Sequence, residues 1–399
     1  MDREQSEKRP RDNITRFKQD RRLLAVSLLR TLALLIMLAS VVYAAWAYRD
    51  DLRIENLRRL LSYARAAAGS EGDGFVTYRF EPGLETVYAP FDLGLAVVSS
   101  DTYRFVTGFS GQGFSAQLGY GSPAMAVGDG QVLIYDRGNT GYCVANSYDV
   151  LYQGVSDSAI IAGTMNPRGD YALVKEESGY RSGVYVYDRR NRQVCVWQTP
   201  SAYVMLPSLS PDGERFAALC MDETGGQVRV YEAGNEKPRF TIDYGWRQVY
   251  AIRHYKNGQL FILCEDGLAV YDTEGEHVSS YPFTGLLRFA HHEGGLPMVA
   301  LRVNAGGGER VRLIAFGEDG APSWEGTAQG SLRDMDFRGN YGVVLLYNEL
   351  YTLDVGGEAP VFAHREVSGV RRVLATARGQ GVLVYSDRAE GVDITADAA

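Results

Sequence analysis

Several familiar chemistries lack their local motifs in this chain. Its four cysteines among 399 residues, Cys143, Cys195, Cys220 and Cys264, form no C-x-x-C pair, which removes the usual zinc and redox signatures. Each sits inside an apolar run such as GYCVAN or FILCED, as a buried free thiol acting as a small apolar residue does. The five histidines, His254, His277, His291, His292 and His364, show neither H-x-H nor H-E-x-x-H spacing. GFSGQ (108–112) and GFSAQ (113–117) each miss the last glycine of a G-x-S-x-G elbow. With no D-x-D-x-D-G calcium loop, Asp129, Asp136, Asp188, Asp212, Asp222, Asp266 and Asp272 read as turn residues that bond their own backbone. The glycine-rich run at 108–114 and the triple glycine within 304–313 read as hairpin loops, since neither opens a helix whose N-terminal amides could seat a phosphate. No catalytic residue, metal ligand or cofactor is assigned.

Long apolar runs are also scarce, with one exception at residues 23–48. Between Thr31 and Tyr48 it is uncharged, and its length matches the hydrocarbon thickness of a bilayer at about 1.5 Å per residue. It is read as a single-pass signal anchor centred on Leu34, Leu35 and Ile36. Arg30 would cost roughly 2.5–3.5 kcal/mol at mid-bilayer, so it belongs at the inner end, where it can snorkel. Trp46 with Tyr43 and Tyr48 form an aromatic belt at the outer end. A cleaved signal peptide is the rival reading, because Ala45-Trp46-Ala47 imitates a cleavage site. The preceding tail, 1–22, carries Arg3, Lys8, Arg9, Arg11, Arg16, Lys18, Arg21 and Arg22, which keeps it in the cytoplasm and the rest outside the cell membrane.

Beyond the span, Leu57, Leu60, Leu61 and Ala64 recur at helical spacing, predicting a juxtamembrane amphipathic helix over 49–68. GSEGDG (69–74) is the linker. The body, 75–394, is read as all-β, with 395–399 a short tail. Its composition explains this: Gly 45 and Tyr 26 with ordinary charge suit many short strands and tight turns. The body is also more acidic than the whole-chain net charge of -8, which argues against nucleic acid as a partner.

A recurring unit, an apolar strand closed by an aromatic and an acid or glycine turn, fixes the architecture. It appears as VLIYDRGN from 132, VYVYDRRN from 184, VRVYEAGN from 228, LAVYDTEG from 268, LIAFGEDG from 313, LYTLDVGG from 350 and VLVYSDRA from 382. These starts lie 32 to 52 residues apart, the repeat length of a four-stranded propeller blade. Turns such as SPDG (210–213) and YKNG (255–258) lead straight into strands, as hairpins do. Strands such as VYVY are apolar at successive positions, which requires cover on both faces. With residues 91–120 as a further unit, a β-propeller of about eight blades is expected, seven being the alternative. The C-terminal unit, 370–394, is one strand short, and FVTYRFE (75–81) or a neighbouring N-terminal strand is expected to complete it and clasp the ring.

SPDGERFAAL followed by GGQVRVYEAG resembles the TolB-type and WD-repeat propeller pattern. The whole layout, a basic tail, one span and a degenerate propeller, is similar to an uncharacterised family of bacterial single-pass membrane proteins known as a domain of unknown function. That resemblance implies no established activity, so no site residue follows from it. The expected role is an extracytoplasmic module that binds an envelope protein partner or ligand. An envelope enzyme or small-ligand sensor working in the axial channel is the alternative, with His254, His291 and His292 as candidates because they fall near the innermost strands.

Overall fold

The computed structural model of the protein describes residues 21–47, 77–79 and 86–394, the last with short breaks at 92–93, 108–112, 256–257, 292–294, 296, 304–307, 357–359 and 377–378. The expected juxtamembrane helix (49–68), the linker (69–74) and both tails, apart from Arg21 and Arg22, lie outside these residues. The chain divides into two units, one holding the helix and the other the β-rich body.

The helix, α1, runs Arg21–Ala47 over 27 residues. Ser40 Oγ donates to the Ile36 carbonyl at 2.8 Å, so its hydroxyl is satisfied within the helix. Side chains are described only for 29–43, where Arg30, Leu34, Leu35 and Ile36 are all exposed. That stretch is shorter than the roughly 20 residues a span needs. Among the described residues no helix is long and apolar enough to cross a membrane. Trp46 lies in the helix, with its side chain outside the described part.

The body is an eight-bladed propeller of four-stranded antiparallel sheets. Blades 1 to 7 occupy 87–117, 123–155, 160–199, 203–245, 249–282, 286–329 and 332–366, each with its strands in chain order. Blade 8 takes three strands from 372–393 and its outer strand from the N-terminal side. There Tyr78 pairs with Ala389 and Arg79 with Arg388, so the clasp expected from the short C-terminal unit is present and no blade is left with three strands.

Successive apolar residues go to opposite seams. In blade 5, Phe261 and Leu263 pack toward blade 6, whereas Leu260, Ile262 and Cys264 pack toward blade 4. Each such buried side chain contributes roughly 1.5–3 kcal/mol. The seam between blades 3 and 4 is aromatic: Trp197 and Phe216 flank Tyr231 with centroids at 4.6 and 5.0 Å. All four cysteines are free and buried in these seams, and burial pushes the thiols of Cys143, Cys220 and Cys264 up to about 12.

Five of the seven recurring units close the third strand of their blade. The first and last, VLIYD and VLVYS, lie instead on the second strands Val132–Asp136 and Gln380–Val384. This shift explains why the widest and narrowest spacings fall at the two ends of the series. The acids themselves work as turn residues. Asp188 Oδ1 accepts the amides of Arg190 and Arg192 at 3.0 and 2.9 Å, and Asp272 Oδ1 accepts those of Glu274 and Glu276 at 2.8 and 2.9 Å. In SPDG, Gly213 has φ +72°, and an added Cβ would meet Asp170 Oδ2 at 2.5 Å, so only glycine serves there.

Because strands run in order, each blade sends its 1–2 and 3–4 turns to one face of the ring, the turn face. Its 2–3 turns and the connections between blades emerge on the other, the link face.

Candidate functional site

Two cavities in the propeller gather charged side chains. The first, about 430 Å³, lies along the axis and is lined by first-strand residues 125–127, 161–163, 205–207 and 250–253, together with Tyr135, Arg137, His291 and Arg338. Arg137 follows the second strand of blade 2, Arg253 lies near the end of the first strand of blade 5, and Arg338 ends the first strand of blade 7. Arg253 Nη1 donates to Thr164 Oγ1 of blade 3 at 2.7 Å. Arg338 Nη1 donates to the Pro90 carbonyl of blade 1 at 3.0 Å. No carboxylate is among the described residues that line the cavity, while Arg338 acts on the buried Asp336 carboxyl outside that lining and draws it down against the effect of burial. Burial raises the Tyr135 hydroxyl above its ordinary range while Arg137 and Arg253 pull it back, so both guanidinium groups act on one point in the wall.

The second cavity, about 610 Å³, lies on the turn face of blades 3 to 5 and also contains three arginines, Arg168, Arg215 and Arg239. Its character differs, because six carboxylates line it too: Asp170, Asp188, Asp212, Glu214, Glu232 and Glu274. Arg239 bridges Glu232 of blade 4 and Glu274 of blade 5. Arg215 donates to the Thr273 carbonyl at 3.2 Å, and Arg168 to that of Asp212. Burial opposes ionisation of Asp188, yet hydrogen bonds from Arg192 and the Arg190 amide outweigh it and hold the carboxyl below its usual range. The charges of this cavity are tied to one another.

The three histidines singled out from the sequence part company here. His291 lines the axial cavity, its ring stacked on Phe289 at 5.9 Å and edge-on to Phe261 at 6.3 Å. His254 is not among the lining residues. It is buried between blades 4 and 5, where its amide donates to Ser208 Oγ at 2.8 Å and its Nδ1 lies 3.2 Å from the same hydroxyl. Burial is the main cause that lowers its imidazole to about 3, and Arg215 adds to it. His292 lies outside the described residues. The arginines were not anticipated, although Arg253 and Arg338 stand just before the turns YKNG and GNYG, a position that places them at the axis.

The link face differs again in character. Tyr180, Tyr203, Trp246 and Tyr347 are the large aromatic residues that are exposed among the described propeller residues, at 43%, 53%, 73% and 68%. Tyr347 occupies a 2–3 turn, Tyr180 opens the third strand of blade 3 straight after such a turn, Trp246 lies in the connection from blade 4 to blade 5, and Tyr203 opens the first strand of blade 4. All four therefore emerge on one face. Arg181 lies over the Tyr203 ring at 5.3 Å and Arg333 over that of Tyr347 at 5.8 Å.

Among solved structures the chain is similar to BamB from Moraxella catarrhalis, at 13% identity and a TM-score of 0.51, over 80% of this chain and 99% of that one. It is also similar to a hydrazine synthase chain of Kuenenia stuttgartiensis, at 13% identity and a TM-score of 0.43, over 68% of this chain and 95% of the other. At such identity the likeness to BamB is one of fold. No curated protein matches the chain. The sequence pattern of DUF5711, a family of unknown function, spans residues 76–392, from just ahead of the outer strand of blade 8 at Tyr78 into the last strand, Arg388–Asp393, and the chain belongs to that family.

Proposed function

We propose that this protein is a membrane-anchored module whose propeller lies outside the cytoplasm and binds a protein partner through its link face. The observation that carries the reading is the gathering of Tyr180, Tyr203, Trp246 and Tyr347 on that one face, with Arg181 and Arg333 beside two of them. Tyrosine, tryptophan and arginine are the residues that most often dominate binding energy at protein interfaces. The eight-bladed ring shared in fold with BamB offers a wide, rigid loop surface of the kind such interfaces use. The anchor rests on the uncharged apolar run from Thr31 to Tyr48 in the sequence and the outward orientation on the basic residues before it.

Two experiments test the parts separately. Protease added to intact cells is expected to cut the chain beyond Gly74; protection that disappears only on permeabilisation overturns the location. Crosslinking in cells is expected to give a partner adduct that weakens about tenfold in Trp246→Ala and Tyr347→Ala variants. Unchanged adducts in both variants, with the propeller still folded, overturn the use of this face.

A further inference from the structure

We propose that a basic arc on the link face, formed by Arg333, Arg371 and Arg372, receives an acidic segment of the protein partner; this rests on the reading of the link face as the binding face. Arg333 is the second residue of the first strand of blade 7, Leu332–Arg338, and Arg372 opens the first strand of blade 8, Arg372–Ala375. Arg371 ends the connection between the two blades. All three therefore stand at the link-face end of innermost strands. Asp334 accepts the Val373 amide across the seam at 3.0 Å, which sets the two arginine-bearing stretches side by side. The arc extends to blade 1: burial raises the Tyr88 hydroxyl there, while a hydrogen bond with Thr86 and the charges of Arg372 and Arg371 pull it back.

The charge of these arginines is not answered within the ring. Each is exposed, and among the described residues none has a carboxylate within ion-pair distance: Arg333 lies over the exposed Tyr347 ring, and Arg371 and Arg372 act on the Tyr88 hydroxyl. The neighbouring Arg288 gives the contrast, since it pairs with Asp334 at 2.7 Å and joins blade 6 to blade 7. Acids of the same sector lie farther from the axis. Glu349 and Glu366 stand opposite each other on the third and fourth strands of blade 7, where Glu349 accepts the Tyr351 hydroxyl at 2.8 Å. Asp387 and Glu390 pair with Arg388 in blade 8. That order selects the partner. A guanidinium matches the two oxygens of a carboxylate, and arginine beside an exposed aromatic is typical of the residues that dominate protein interfaces. The outer acids, in a chain of net charge -8, repel a broad anionic surface yet leave the inner arc open to a narrow chain. Tyr347, and Leu287 near the start of the first strand of blade 6, offer apolar contact beside the acidic groups.

The test is fluorescence anisotropy of the full chain in detergent at low salt, with a labelled octaglutamate peptide as the probe. It is expected to bind with a Kd below about 1 mM, more weakly as salt rises. Binding is expected to weaken about tenfold or more when Arg333→Glu, Arg371→Glu and Arg372→Glu are combined, whereas Arg239→Gln at the turn face leaves it unchanged. The three side chains are exposed, so their replacement keeps the fold, and thermal melting verifies this. Absence of binding overturns the proposal, and so does binding unaltered in the combined variant. Equal affinity for a single-stranded DNA of the same charge overturns the assignment to a peptide. Crosslinking in cells separates failure of the arc from failure of the face. An adduct weakened by Trp246→Ala, with no octaglutamate binding, keeps the face in use and removes the acidic partner. Octaglutamate binding with adducts unchanged in Trp246→Ala and Tyr347→Ala supports the arc and removes the aromatic interface.

Discussion

The axial cavity and the turn-face cavity are built from the same number of arginines and differ in their company. At the turn face six carboxylates line the wall with the arginines; Arg239 joins blades 4 and 5 through two of them, while Arg168 and Arg215 reach the next blade through the carbonyls of Asp212 and Thr273. At the axis the described lining offers neutral acceptors, Thr164 Oγ1 and the Pro90 carbonyl, to Arg253 and Arg338. Arg239 has its charge answered by two carboxylates that line its own cavity, whereas the carboxyl on which Arg338 acts, Asp336, lies behind the axial wall. Partners, more than residue counts, therefore separate a structural charge network from a candidate site.

The largest effect that sharpens this contrast concerns His254. Its chain neighbour Arg253 lines one cavity, while Arg215 and Asp212 of the other act on its ring. Its folded pKa of about 3 lies below the ordinary 6.5, so between those values the unfolded chain binds the extra proton. Stability is then fully present above about pH 6.5 and is lost as pH falls, by about 2 kcal/mol at pH 5 and on the order of 4 kcal/mol near pH 3. Urea unfolding at pH 7.5, 6, 5 and 4 is expected to show a fall that is reduced by that amount in His254→Gln. Equal falls in both proteins would mean that the imidazole is protonated in the folded ring.

The next effect belongs to Asp170, in the wall of the turn-face cavity. This buried carboxylate accepts the Arg189 amide and Asn166 Nδ2, both at 3.1 Å, with Arg168 at 3.8 Å. Asp170→Ala leaves those donors without an acceptor and is expected to cost about 3 kcal/mol, measured by urea unfolding at pH 7.5. Asp170→Asn, which keeps one acceptor, is expected to recover part of the loss. A neutral Asp170→Ala would show that these hydrogen bonds add nothing to the turn-face network.

Much of the ring was legible because its signals are local. The successive apolar positions of VYVY and LFILC announce sheets covered on both faces, and the SPDG turn announces the hairpin that Gly213 makes. The missing strand of the last unit pointed to residues near Tyr78, and the pairing of Tyr78 with Ala389 supplies it. Blade identity was harder to read at the ends, where VLIYD and VLVYS carry the third-strand pattern on second strands. There the periodic signal reports only an apolar strand followed by a turn, and either strand provides one. The candidate site was not legible, since Arg137, Arg253 and Arg338 lie in different blades and meet only once the ring closes. The histidines shared their strands but not their direction: at adjacent positions, Arg253 lines the axial cavity and His254 is buried against Ser208.

The smallest expected effect is the most discriminating between the two cavities, because its size differs. Arg239→Gln removes the bridge from Glu232 to Glu274 and leaves those two carboxylates facing each other across the seam of blades 4 and 5. Solvent screens much of this interaction, so the melting temperature is expected to fall by only about 1–3 °C. Arg137→Gln at the axis replaces an exposed side chain whose charge acts on the Tyr135 hydroxyl. Its melting temperature is expected to stay level, as for most exposed side chains. Should Arg137→Gln melt lower than Arg239→Gln, the axial arginines would be holding the ring together, and the distinction between the cavities would fail at the charge on which it depends.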